Sequence, residues 1–381
     1  MSYLYIETES ALQELCAQLS HSNWITLDTE FIREESYYPQ LCLVQVANEE
    51  VVACIDPIAI TDLSPLHALL HNPKITKVLH AARQDLEIFW QLSGQVPAPI
   101  YDSQIAAALL GQGEQIGYGN LVQLMLNIEL DKAHSRTDWS QRPLSPEQLE
   151  YAADDVRHLR EIYKQQIVEL EKLQRLPWLN EDFDLLTDTQ LYDPPSEDSW
   201  RRIKGNQRLK GEQLAILQLL AKWREDLARE RNRPRRWILA DEVLIEICRL
   251  RPLSTDKLKR MRGLNDKKLQ QYGQTIISLV EQAKRLPKGQ WPILENRNKL
   301  NIQQEATLDV VQGMLKLCAH NHKISPNSLA TRKELEAFML QQESPLRHGW
   351  RHELCGQSIE KLLSGELCIT IAEGKITTAT G

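Results

Sequence analysis

The chain has cysteines but none of the patterns in which cysteine carries chemistry. Its seven, Cys16, Cys42, Cys54, Cys248, Cys318, Cys355 and Cys368, are odd in number, widely spaced and never form a Cys-x-x-Cys pair. Neither a disulfide framework nor a zinc site is encoded. No apolar run approaches the roughly 20 residues of a membrane span. The first residues, Met1-Ser2-Tyr3-Leu4-Tyr5-Ile6-Glu7, lack the basic and apolar regions of a signal peptide, so a soluble cytoplasmic protein with no membrane partner is expected. A Gly-rich phosphate loop and a Gly-x-Ser-x-Gly elbow are both missing, which removes nucleotide-cradling and serine-hydrolase readings. His348 and His352 are four apart, but Gly349 stands where a zinc helix needs Glu, and they read as surface histidines. No segment points to an obligate protein partner.

Basic residues are scarce in the first half. Residues 1–200 carry 12 Lys+Arg against 32 Asp+Glu, residues 201–290 carry 23 against 10, and the remainder balances at 10 each, so the overall charge of −7 conceals blocks of −20 and +13. A basic block this concentrated suggests a polyanionic partner, most plausibly nucleic acid. At 381 residues with 42% hydrophobic content, the chain has material for two or three packed domains.

The chemistry is expected around Trp24-Ile25-Thr26-Leu27-Asp28-Thr29-Glu30-Phe31, whose alternation reads as a half-buried β-strand. Residues two apart on a strand share a face, so Asp28 and Glu30 lie roughly 7 Å apart along one edge. Like charges held so close repel unless a cation separates them, and hard divalent ions prefer such oxygen ligands. Two more strands, Leu41–Ala47 and Val51–Asp56, follow with a hairpin loop between them. Ile75–His80 is a further strand that runs into a helix carrying Asp85 in its first turns, at the sheet edge where α/β proteins gather ligands. Asp102 is the expected N-cap of the helix from Gln104. Ser145-Pro146-Glu147-Gln148 starts another helix, on which Tyr151 and Asp155 share a face while Asp154 lies roughly 100° around; geometry leaves open which Asp joins the tyrosine. The loop Ser135–Pro143 places Trp139 between Arg136 and Arg142, a combination able to clamp phosphate and stack a base.

Pro194-Pro195 interrupts regular structure and marks a domain boundary. The basic block beyond it has helical spacing and reads as a small bundle, with the turn containing Arg235 and Arg236 and the stretch containing Lys259 and Arg262 as contact surface. After a linker at 287–292, the last segment repeats the scheme as a second, neutral bundle.

Together the carboxylates supply the ligands that two divalent ions need for in-line phosphodiester displacement. These residues, with Tyr37-Tyr38-Pro39-Gln40-Leu41, His80-Ala81-Ala82 leading to Asp85, and Tyr151-Ala152-Ala153-Asp154-Asp155, resemble the three motifs of the ribonuclease D family. That family is the Tyr-containing branch of the DEDD 3′-to-5′ exonucleases. The basic bundle resembles the helicase-and-RNase-D C-terminal (HRDC) domain through Asn232-Arg233-Pro234, Ile238-Leu239-Ala240-Asp241, Leu258 and Tyr272-Gly273.

The resemblance implies an α/β ribonuclease-H-like exonuclease domain, a mixed sheet flanked by helices, over residues 1–195. Two small all-α bundles would follow, an HRDC-type domain at 206–290 and a divergent copy at 295–381. It also implies two divalent ions, Mg2+ or Mn2+, and release of nucleoside 5′-monophosphates from RNA 3′ ends, typically of tRNA precursors. In that scheme Asp28 bridges both ions, Glu30 and Asp155 hold the one that binds the attacking water, Asp85 supports the other, and Tyr151 orients the water. The same site could serve a DNA exonuclease, since phosphate chemistry does not read the 2′-OH.

Overall fold

The computed structural model describes residues 3–131, 137–294 and 300–380. Arg136 therefore lies outside the described residues.

The first part of the chain is a mixed sheet between helices. In spatial order its strands are β1 (Leu4–Ile6), β4 (Val52–Ile55), β3 (Gln40–Ala47), β2 (Trp24–Ile32), β5 (Thr76–Leu79) and β6 (Ile100–Asp102). β2, β3 and β4 form an antiparallel core, with the expected hairpin between β3 and β4, whereas β1 joins β4, and β5 and β6 extend β2, as parallel strands. The two faces of β2 explain its alternation. Ile25 and Leu27 enter a core with Leu12, Leu15, Leu66, Leu86 and Phe89 from α1 (Glu9–Leu19), α2 (Ser64–Leu70) and α3 (Arg83–Ser93). Thr26, Asp28 and Glu30 take the opposite face. Two short helices follow, α4 (Ser103–Leu109) and α5 (Tyr118–Leu126), and then the long α6 (Pro146–Lys172). α6 covers the opposite face through Leu149, Ala152, Ala153 and Val156, and the Thr26 hydroxyl fastens it by donating to the Val156 carbonyl at 3.0 Å.

α6 starts where the sequence places it, since Ser145 and Gln148 form a reciprocal capping box with Pro146 at the first turn. Asp102 caps α4 by accepting from the amides of Gln104 and Ile105. The same carboxylate accepts from the amides of Ala81 and Ala82 at 3.1 and 2.8 Å, holding Ala81 at φ 55° just before α3.

After α7 (Leu179–Thr187) and a stretch of 3-10 turns comes the basic bundle: α8 (Glu212–Glu230), α9 (Arg235–Ile238), α10 (Asp241–Leu250), α11 (Thr255–Lys259) and α12 (Asp266–Arg285). It encloses its own core. The last segment differs from the all-α expectation. Its helices α13 (Ile302–Asn321), α14 (Pro326–Leu329), α15 (Arg332–Met339), α16 (Gly349–Arg351) and α17 (Gln357–Ser364) are followed by an antiparallel hairpin, β7 (Leu367–Ala372) and β8 (Lys375–Thr380). Alternating Ile369, Ile371 and Ile376 around Glu373-Gly374 suit a tight β-turn better than a helix. This segment shares a hydrophobic cluster with the first part of the chain. Trp350 stacks on Trp178 at 4.4 Å, and Arg351 pairs with Glu181 and Asp182. No helix among the described residues is long and apolar enough to cross a membrane.

Candidate active site and nucleic-acid groove

Asp28, Glu30 and Asp155 converge from β2 and α6. One oxygen from each lies within 4.8 Å of the others. Asp85 stands beside this trio on α3, 7% exposed, and its carboxylate accepts a short hydrogen bond from the Thr29 hydroxyl. Thr29 faces away from Asp28 and Glu30 along the strand, so this contact ties the first turn of α3 to the strand that carries the acids.

The electrostatics of this cluster suit a cation. Burial, then repulsion from Asp155, Asp85 and Glu30, pushes the Asp28 carboxyl far above the ordinary range. Burial and the same neighbours raise Glu30 to about 9, and burial first of all raises Asp85 and Asp155 to about 7. No Lys or Arg forms an ion pair with any of the four among the described residues. Buried carboxylates repelling one another without a counter-charge are the donor set that hard divalent ions take.

Asp154 is turned out of the site, paired with Arg157 and near His158. That resolves the choice that helix geometry left open. Tyr151 lines the same cleft, of about 270 Å³, with Asp28, Glu30 and Asp155. Burial first, then the charges of Asp155, Glu30 and Asp28, push its hydroxyl above its usual range.

Two site residues escape a reading of acids alone. His80 lines the cleft at the end of β5, its Nε2 3.0 Å from the Ile116 carbonyl and its Nδ1 2.9 Å from the Ser103 hydroxyl. With a carbonyl at Nε2 that nitrogen carries the proton, so Nδ1 accepts, and burial lowers the ring's pKa. Tyr118 also lines the cleft and donates to the Asp155 main-chain carbonyl, bracing the turn of α6 that presents Asp155. His80 was visible in the sequence through its place at a strand's C-terminal end and in the His80-Ala81-Ala82 motif, without a role attached; Tyr118 had no signal.

Three expected nucleic-acid contacts need correction. Trp139 is buried at 2% exposure and packs with Tyr151 at 6.2 Å, so it supports the tyrosine and offers no face to a base. The Arg142 guanidinium is spent on both oxygens of Asp56 and on the carbonyls of Cys42, Trp139 and Gln141. Arg235 is committed to the buried Glu225 and to the Tyr37 hydroxyl. Arg236, Lys259 and Arg262 are exposed. A groove of about 1030 Å³ runs from Glu30 along residues 31–36 to Arg231, Asn232 and Arg233 of the basic bundle.

Comparison with known proteins agrees with this architecture. A 3′-5′ exonuclease family model matches residues 3–171, and an HRDC domain model matches residues 213–280. Ribonuclease D of Bartonella henselae is 40% identical, with 96% of this chain and 91% of that protein aligned. Ribonuclease D of Escherichia coli is 37% identical over 95% of this chain and 99% of that one. The crystal structure of the Escherichia coli enzyme, described as an exoribonuclease involved in structured RNA processing, superposes with a TM-score of 0.87 over 96% of this chain and 99% of that one. The chain belongs to the ribonuclease D family and is a hydrolytic, metal-dependent 3′-to-5′ exoribonuclease.

Proposed function

We propose that the enzyme removes nucleoside 5′-monophosphates one at a time from the 3′ ends of structured RNA, tRNA precursors in particular, using two divalent ions, Mg2+ or Mn2+. The observation that carries this is the uncompensated carboxylate cluster. Asp28, Glu30 and Asp155 would hold one ion, and Asp28 with Asp85 would hold the other. Bound there, the ions supply positive charge that acidifies water and offsets the charge developing on the attacking and leaving oxygens.

The protein's own groups do the positioning. Thr29 and Tyr118 fix the elements bearing Asp85 and Asp155. Tyr151 keeps its proton at Oη at neutral pH, because a tyrosine hydroxyl ordinarily ionises near 10 and burial raises it further. It therefore orients an incoming water by hydrogen bonding and is a poor base. The groove beside Glu30 admits the 3′ strand, with Arg231 and Arg233 at its far wall. Escherichia coli ribonuclease D, acting in structured RNA processing, supports RNA of that kind as substrate.

On domain organisation, we assign 1–195 to the exonuclease domain, 206–290 to the HRDC domain and 295–381 to a divergent HRDC-like unit. The long helix, Pro-initiated short helix and third helix of α13, α14 and α15 repeat the order of α8, α9 and α10. We also assign the enzyme to the cytoplasm, which its seven free thiols favour. The deciding experiment is digestion of a 3′-tailed tRNA precursor with and without EDTA. Chelator-sensitive mononucleotide release is expected, and release that persists in EDTA would overturn the metal assignment.

A further inference from the structure

The first 100 residues contain only four lysines and arginines, Arg33, Lys74, Lys77 and Arg83. Both arginines line one pocket, away from the carboxylate cleft, where the exonuclease domain meets the linker and the HRDC domain. Arg202, Arg229 and Arg235 complete its basic lining.

Three of the five guanidinium groups are neutralised. Arg33 forms a two-bond pair with Glu87 at 3.0 and 2.9 Å, Arg229 pairs with Asp193 at 2.9 Å, and Arg235 pairs with Glu225. Arg83, the first residue of α3, and Arg202, the last of the 3-10 turn Ser196–Arg202, make no ion pair or hydrogen bond among the described residues. Five guanidinium groups against three carboxylates leave two positive charges in excess. Two of the five come from the acidic block, where arginine is scarce, and they meet three from the basic block here.

The cavity measures about 190 Å³. That is below the roughly 300 Å³ at which pockets begin to take drug-sized ligands, so it suits a single small oxyanion. Planar guanidinium groups from several directions match phosphate oxygens in charge and in paired hydrogen bonding. We infer that Arg83 and Arg202, in a pocket whose other three arginines are already paired, form a second anion site that binds one phosphate group at the junction of the exonuclease and HRDC domains. Its wall is shared with the catalytic groove, since Arg33 lines both and Tyr37 begins where the groove ends. The phosphate is either free or part of an RNA backbone that passes around residues 33–37; the RNA case rests on the proposed function.

Full-length protein in EDTA tests this with two probes, inorganic phosphate at constant ionic strength and a 3′-tailed RNA hairpin. Wild type is compared with Arg83→Gln, Arg202→Gln and the pair. Phosphate should raise the wild-type melting temperature, and each substitution should weaken that response at least tenfold in midpoint concentration. If the site holds RNA, the slope of log affinity against log salt should also fall by about 0.7 to 0.9 per arginine. A lost phosphate response with unchanged salt slope assigns a free anion, and a reduced slope assigns the RNA backbone. No phosphate response in wild type together with an unchanged slope in the variants overturns the site. Arg202→Lys, which keeps the charge, should retain part of the effect and guards against a folding defect. Metal-dependent mononucleotide release from a short oligonucleotide should persist in all variants, so this site can fail without the exonuclease assignment failing.

Discussion

The side-chain carbonyl of Asn232 accepts from the backbone amides of both Tyr37 and Tyr38, at 3.1 and 3.0 Å, and so binds the HRDC turn to the loop after β2. Asn232 holds φ 47°, a left-handed conformation that Asn tolerates better than most residues. The Asn-Arg-Pro turn thus acts first as an interdomain fastener. Asn232→Ala loses two hydrogen bonds worth about 0.5–1.5 kcal/mol each, so docking should weaken by about 1–3 kcal/mol. Hydrogen exchange at Tyr37 and Tyr38 should accelerate accordingly, while cleavage of a short oligonucleotide stays within about twofold. Unchanged exchange would show that the fastener carries no energy.

Lys77 is fully buried on β5, and its ammonium donates to the carbonyls of Asn72, Ile75 and Ala98 at 2.5–3.0 Å. Lys77→Met fills the space but leaves three buried acceptors without their donor. Destabilisation of roughly 3 kcal/mol is expected, read as a lower urea midpoint at unchanged slope. A midpoint equal to wild type would mean that water replaces the ammonium freely.

What the sequence revealed, and what it hid, follows from the range of each interaction. Asp28 and Glu30 were legible because a strand's period of two places them on one face whatever the rest of the chain does. Tyr151 and Asp155 were legible as a pair through helix periodicity, but rejecting Asp154 required seeing Arg157 take it. Trp139, Arg142 and Arg235 were misread because their partners are remote or buried. Arg142 meets Asp56 across 86 positions, and Arg235 turns inward to a Glu225 that is 1% exposed. The terminal hairpin was passed over because the repeat reading imposed helices on a stretch whose β-branched alternation favours strands. The sheet order was legible only in its antiparallel part, since hairpins are local and parallel pairings are not.

The carboxylate cluster makes the metal-free protein sensitive to pH. Folding raises Glu30 from 4.5 to about 9, and Asp85 and Asp155 from 3.8 to about 7. Because the folded values lie above the unfolded ones, the native state binds more protons in between. Stability is therefore full below the unfolded values and is lost as pH rises through the folded ones. In EDTA the melting temperature should decline steadily from about pH 5 to about pH 8.5, and saturating Mg2+ or Mn2+ should flatten that decline by binding the ionised form. Parallel profiles with and without metal would refute a cation site here.

Neighbouring acids on α6 give the sharpest discrimination. Asp155 faces the cleft among repelling carboxylates, whereas Asp154 is 33% exposed and ion-paired outside it. Asp155→Asn removes a ligand charge, and a loss of about 4 kcal/mol in transition-state stabilisation corresponds to about a thousandfold fall in kcat. The same change relieves repulsion, so the metal-free variant should melt higher than wild type, as expected where a site holds like charges together for function. Asp154→Asn should keep kcat within about threefold and lower the melting temperature slightly through the lost pair with Arg157. Tyr151→Phe belongs between them, with a fall of about a hundredfold if the hydroxyl orients water and unchanged RNA affinity in EDTA. Measuring kcat on a 3′-tailed RNA beside the metal-free melting temperature separates the three, because only a ligand in the cluster trades activity for stability. Equal activity losses in the Asp154 and Asp155 variants would remove the assignment of Asp155 as the ligand.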